Sequence, residues 1–106
     1  MKKYSKLVRD KIPAICAANG EAANTRILTD DAEYLTALTE KLCEEADEVR
    51  QDPSLEELAD TLEVLYSTGK ALGYTPKQIE AARAKKMEAR GGFEKRIFLI
   101  STEAKK

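Results

Sequence analysis

Two capping boxes constrain where helices can begin in this chain. Asp30 is followed three residues on by Glu33, and Ser54 by Glu57. An N-cap side chain of this kind accepts a backbone N–H of the first turn, and the acid three residues later can reach back to the cap. The first box opens a helix that runs to about Gln51, where Asp52-Pro53 stops it because proline drives the preceding residue out of helical geometry. The second opens a helix that continues to about Leu72 and ends at Gly73. Thr75-Pro76 supplies an N-cap and a first-turn proline for a further helix, which reaches about Arg90 before Gly91-Gly92. Upstream, Lys6 to Ala18 reads as a first short helix, interrupted or restarted at Pro13 and closed by Asn19-Gly20. Thr25 to Leu28 and Arg96 to Ile100 are short β-prone runs that could pair as a minor two-strand ribbon.

Connections this short favour antiparallel neighbours, so the expected fold is all-α: one domain over residues 1–106, built as an antiparallel helical bundle. On the second helix the apolar stripe is Leu35, Leu38, Leu42, Ala46 and Val49. The third helix carries two stripes. Leu55, Leu58, Leu62 and Leu65 form one face, and Glu57, Asp60, Val64, Ser67, Thr68 and Ala71 lie on the other side at ~100° per residue. A helix buried on two sides needs more cover than a few short helices provide, so a homodimer or homotetramer is expected.

Composition excludes several classes. The 106 residues are 42% hydrophobic and 35% charged, as in a globular protein rather than a disordered one. No stretch approaches the ~20 apolar residues of a membrane span, and the N-terminal residues lack the apolar run of a signal peptide, so a cytoplasmic protein with no membrane partner is expected. Cys16 and Cys43 cannot form a disulfide framework and read as small buried hydrophobes. The net charge of −1 argues against bulk nucleic-acid binding, yet it conceals a strong segregation. Acids crowd the stretch from Glu40 to Glu63, against only Lys41 and Arg50, while Lys2 to Lys11 and Lys77 to Arg96 are mostly basic. Such sorting suits a site that binds a cation in one place and an anion in another.

Glu44, Glu45 and Glu48 form an E-E-x-x-E run on adjoining parts of one helix face. Glu45 falls on the heptad-spaced series Leu38, Leu42, Glu45, Val49, so its carboxylate points toward a partner helix, an expensive place for an anion. Glu57 and Asp60 are three apart on the next helix, opposite its leucines. Antiparallel packing through the Asp52-Pro53 turn can bring these acids together. Two carboxylates ~5 Å apart repel by about 3 kcal/mol at an effective dielectric of about 20, so a converging set calls for a cation. Oxygen ligands in a chain with no histidine favour Mg²⁺, with Mn²⁺ as a substitute, over zinc or copper. Neighbouring lysines and arginines could instead neutralise the cluster as ion pairs, and Glu57 has a structural use as the capping-box acid.

The fourth helix places Ile79, Arg83, Lys86 and Arg90 on one face. A positive stripe beside an acidic helix pair is what a metal–phosphate substrate would need, and Arg9 and Lys11 could add to it. The alternative is a solvated or salt-bridged face. Phe93 is read first as core, with a place in a base pocket as the alternative.

Glu44 to Glu48 followed by Glu57 to Asp60 resembles the metal motif of the all-α nucleoside-triphosphate pyrophosphohydrolase superfamily, the MazG-like and phosphoribosyl-ATP pyrophosphohydrolase-like proteins. The flanks, Lys6-Leu7-Val8-Arg9-Asp10-Lys11-Ile12-Pro13 and Arg90-Gly91-Gly92-Phe93, look like its small single-domain members. The resemblance implies a helical dimer or tetramer that binds Mg²⁺ and hydrolyses a nucleoside triphosphate between the α and β phosphates. It also implies Glu45, Glu48, Glu57 and Asp60 as metal ligands, and Glu44 as a further ligand or as the group that orients or deprotonates water. Lys86 and Arg90 would contact the phosphates. The phosphoribosyl-ATP enzymes typically follow the second acid pair with tyrosine-histidine, whereas this chain reads Thr61-Leu62-Glu63-Val64-Leu65-Tyr66. Housekeeping of non-standard or surplus nucleotides therefore fits better. Two competing readings are a catalytically idle regulator on the same fold and a helical oligomerisation module whose acids are surface charge.

Overall fold

The computed structural model describes residues 2–105, which form four helices and no strand. They are α1 (Ile12–Ala18), α2 (Asp31–Gln51), α3 (Leu55–Ala71) and α4 (Pro76–Arg90). The chain divides into two compact units, Met1–Pro76 and Lys77–Lys106.

In the first unit, α2 begins where its cap dictates: Asp30 accepts the Glu33 N–H at 3.0 Å. Ser54 does the same for α3, accepting the Glu57 N–H at 3.3 Å. Helix α3 closes with paired bonds from Gly73 N–H to Lys70 O and from Tyr74 N–H to Gly69 O. This closure places Gly73 at φ +92°, a conformation that penalises a Cβ. Helix α1 is shorter than its sequence suggests, because Pro13 sits in its first turn and starts it instead of interrupting it. Residues 6–11 precede that helix.

Helices α2 and α3 pack on each other, and the short Asp52–Ser54 link makes them antiparallel. Leu38 is the one buried hydrophobic side chain among the described residues, at 2% exposure, and Glu45 is buried beside that series at 6%. Ala46 is exposed, because the buried positions follow the Leu38, Leu42, Glu45, Val49 spacing and leave Ala46 off the seam. Cys43 is also exposed and Cys16 half-buried, so neither is the buried hydrophobe expected of it; position 43 falls off the same seam.

The half-buried residues of α3 include Glu57, Asp60, Thr61, Val64 and Thr68, all on one side. Thr61 and Thr68 donate their hydroxyls to Glu57 O and Val64 O, each at 2.8 Å, which satisfies two polar groups within the helix itself. The leucine stripe on the opposite side is uncovered: Leu55, Leu58, Leu62 and Leu65 are all exposed.

The second unit carries most of α4, capped by a 2.7 Å bond from Gly91 N–H to Met87 O. Thr25–Leu28 and Arg96–Ile100 form no strand, and Ile27, Ile97, Phe98, Leu99 and Ile100 are exposed. β-propensity reflects a fit to a pleated, half-buried surface, and neither run has one. Phe93 is exposed as well, past the Gly91-Gly92 break, and is not core. Among the described residues, no helix is long and apolar enough to cross a membrane.

Candidate metal centre

The α2–α3 contact gathers acids from both helices. One carboxylate oxygen each from Glu45, Glu57 and Asp60 lies within 4.8 Å of the others. Glu45 comes from the middle of α2, seven residues before its C-cap, and the other two from the first turns of α3. The antiparallel turn at Asp52–Ser54 brings these levels together. Glu48, one turn after Glu45, adjoins Glu57 closely enough to act on its carboxyl by hydrogen bonding and by charge.

Two oxygens define the chemistry of this cluster. Glu45 Oε2 and Glu57 Oε2 are shielded from solvent and accept no hydrogen bond among the described residues. A shielded acceptor without a donor is destabilising, and either a proton or a bound cation would satisfy it. Glu57 is held above the usual carboxylate range, first by partial burial, then by hydrogen bonding with Glu48 and by the charges of Glu48, Asp60 and Glu45. All donors are hard oxygens, so the set fits Mg²⁺ or Mn²⁺.

The capping-box explanation of Glu57 is only half realised. Its N–H uses the Ser54 hydroxyl, but its carboxylate does not return to the cap, and Oε2 stands in the cluster without a partner. Glu33 in the other box also spends its carboxylate elsewhere, on Arg26 at 2.8 Å. One acid finds a guanidinium and the other finds more acids.

Basic residues surround the cluster without filling it. Arg9 Nη2 donates to Asp60 Oδ1 at 2.6 Å, an exposed pair that brings the N-terminal segment to the edge of the acids. Lys6 reaches Glu44 Oε1 at 3.4 Å and Lys41 reaches Glu44 Oε2 at 3.3 Å, so lysines hold both oxygens of Glu44. Burial pushes Glu44 up, but the bonds and charges of Lys41 and Lys6 outweigh it and leave Glu44 below its ordinary value. Lys41 also contacts Glu45 Oε1 at 3.2 Å. Sequence reasoning passed over Lys6 and Lys41. The available signal for Lys41 was its spacing, three and four residues before Glu44 and Glu45 on one helix.

The remaining expected site residues are exposed. Lys11 is the exposed N-cap of α1. Lys86 and Arg90 are exposed on α4, mostly in the second unit, and pair with no acid among the described residues. Arg83 is tied to Glu80 on its own helix at 2.6 and 2.9 Å.

Comparisons of the chain with protein-family models, with curated proteins and with solved structures found no match.

Proposed function

We propose that this chain is a cytoplasmic, Mg²⁺-dependent nucleotide pyrophosphohydrolase. Its reaction would cleave the α–β phosphoanhydride of a nucleoside triphosphate to monophosphate and pyrophosphate, clearing non-standard or surplus nucleotides. The observation that carries this reading is the pair of shielded, unpartnered oxygens, Glu45 Oε2 and Glu57 Oε2, converging with Asp60. Supporting it is the resemblance of Glu44 to Asp60 to the metal motif of the all-α pyrophosphohydrolases.

Glu45, Glu48, Glu57 and Asp60 would hold Mg²⁺, or Mn²⁺ in its place. When bound, such an ion polarises phosphoryl oxygens, offsets their charge and lowers the pKa of water. Water supplies the oxygen of the new phosphate terminus, and its proton passes to a carboxylate of the Glu44, Glu45 and Glu48 run. Arg9 and Lys11 would bind the phosphates. The uncovered leucine stripe of α3 supports a homodimer or homotetramer, since a contiguous apolar face is a common mark of an interface.

The decisive assay is pyrophosphate release from standard and modified nucleoside triphosphates and from phosphoribosyl-ATP, with Mg²⁺ or EDTA, for wild type and Glu48→Gln. Metal-dependent release, lost in the variant, is the expected result, and its rank order identifies the substrate. Absence of release from every compound, together with no thermal shift on adding Mg²⁺, would favour a helical oligomerisation module built on the leucine stripe.

A further inference from the structure

Among the described ion pairs, the most buried cation is Lys41, whose side chain is 16% exposed; those of Lys6, Arg9, Arg26 and Arg83 range from 41% to 70%. Its Nζ bridges Glu44 Oε2 at 3.3 Å and Glu45 Oε1 at 3.2 Å, and Lys6 holds the far oxygen of Glu44. The ion pairs thus run Lys6, Glu44, Lys41, Glu45 and end on a carboxylate with one oxygen tied and the other, Oε2, shielded and unpartnered. Helix stability does not explain the arrangement, because a lysine placed N-terminal to its glutamate is the weaker order at this spacing. Bringing an ammonium out of water is also costly unless acids repay it. Here two acids do so, through the contacts of Nζ with Glu44 and Glu45.

We propose that Lys41 is the resident counter-cation of the carboxylate centre and a positioning residue for Glu45. By holding Oε1 it leaves Oε2 available to the cluster, and it supplies part of the positive charge the acids require when no divalent ion is bound. The proposal rests on the metal reading above and adds to it a reason why the centre can fold before it is loaded. Glu44 then serves the centre through Lys41, as the anchor that keeps the ammonium in place.

The test is thermal unfolding of the full chain in EDTA and in Mn²⁺, for wild type, Lys41→Met and Lys41→Arg. Methionine keeps the length and packing of the stem and removes the charge. Lys41→Met should melt about 5 °C below wild type in EDTA. Mn²⁺ should close that gap, so the variant gains more from the ion than wild type does, and Lys41→Arg should behave as wild type. Equal melting of Lys41→Met and wild type in EDTA overturns the proposal. So does a deficit that Mn²⁺ leaves in place although wild type responds to the ion, since that is the signature of packing alone. A wild type blind to Mn²⁺ overturns the metal reading and this proposal with it, and it is seen in a different sample.

Discussion

The two sides of α3 invert the usual arrangement of a surface helix. The side that includes Glu57, Asp60, Thr61, Val64 and Thr68 is half-buried, while the opposite side shows Leu55, Leu58, Leu62 and Leu65 to solvent. A helix stabilised only by hydrophobic burial within this unit would have turned its leucines toward α2. Carboxylates on the half-buried side are costly without a cation, and leucines on the open side are wasted without a cover. The same rotation of one helix accounts for both features, so the carboxylate centre and the interface stand or fall as predictions of one geometry.

The sharpest way to break the comparison is to cut the apolar support of the packed side. Leu38→Ala should destabilise the protein by about 3 kcal/mol, the usual cost of emptying a buried leucine site, measured by urea unfolding. Leu62→Ala, on the open side, should cost far less in any single-chain state. The open side is tested by charge: Leu62→Glu should weaken self-association by about thirtyfold, a hot-spot loss of about 2 kcal/mol, read by sedimentation. Unchanged sedimentation would remove the leucine stripe from any interface.

A smaller effect is expected at the start of α3. Ser54→Ala should cost about 1 kcal/mol through the lost cap, and it should also loosen the turn that carries Glu57. The smallest is a pH slope. Because the folded state holds the Glu57 proton more tightly than the unfolded chain does, raising the pH from Glu57's ordinary value through its raised folded value should lower metal-free stability. Glu57→Gln should flatten that part of the profile in EDTA, and it should also diminish the stabilisation by Mn²⁺. A steeper profile in the variant would show that Glu57 gains stability from being ionised and is not short of a cation.

Much of this was legible locally. Asp30, Ser54, Pro53, Gly73 and Pro76 act within a turn of themselves, so the limits of α2, α3 and α4 follow from the order of residues. The heptad position of Glu45 marked it as buried for the same reason. The two β-prone runs failed because a strand needs a neighbour, which no local pattern supplies. Phe93 and Cys43 failed because burial belongs to the surroundings of a residue and not to its type.

What the chain order alone determined, then, is where helices start and stop and which acids share a face, since hydrogen bonds and side-chain spacing within a few residues decide both. Tertiary structure alone decided which of the two stripes of α3 turns to α2. Only there did three carboxylates come within 4.8 Å, and only there did Arg9 and Lys6 meet acids from across the chain. The physical reason is that a helix with two usable faces has two ways to pack, and the choice depends on energies its own residues do not contain: the cover of one face and the neutralisation of the other.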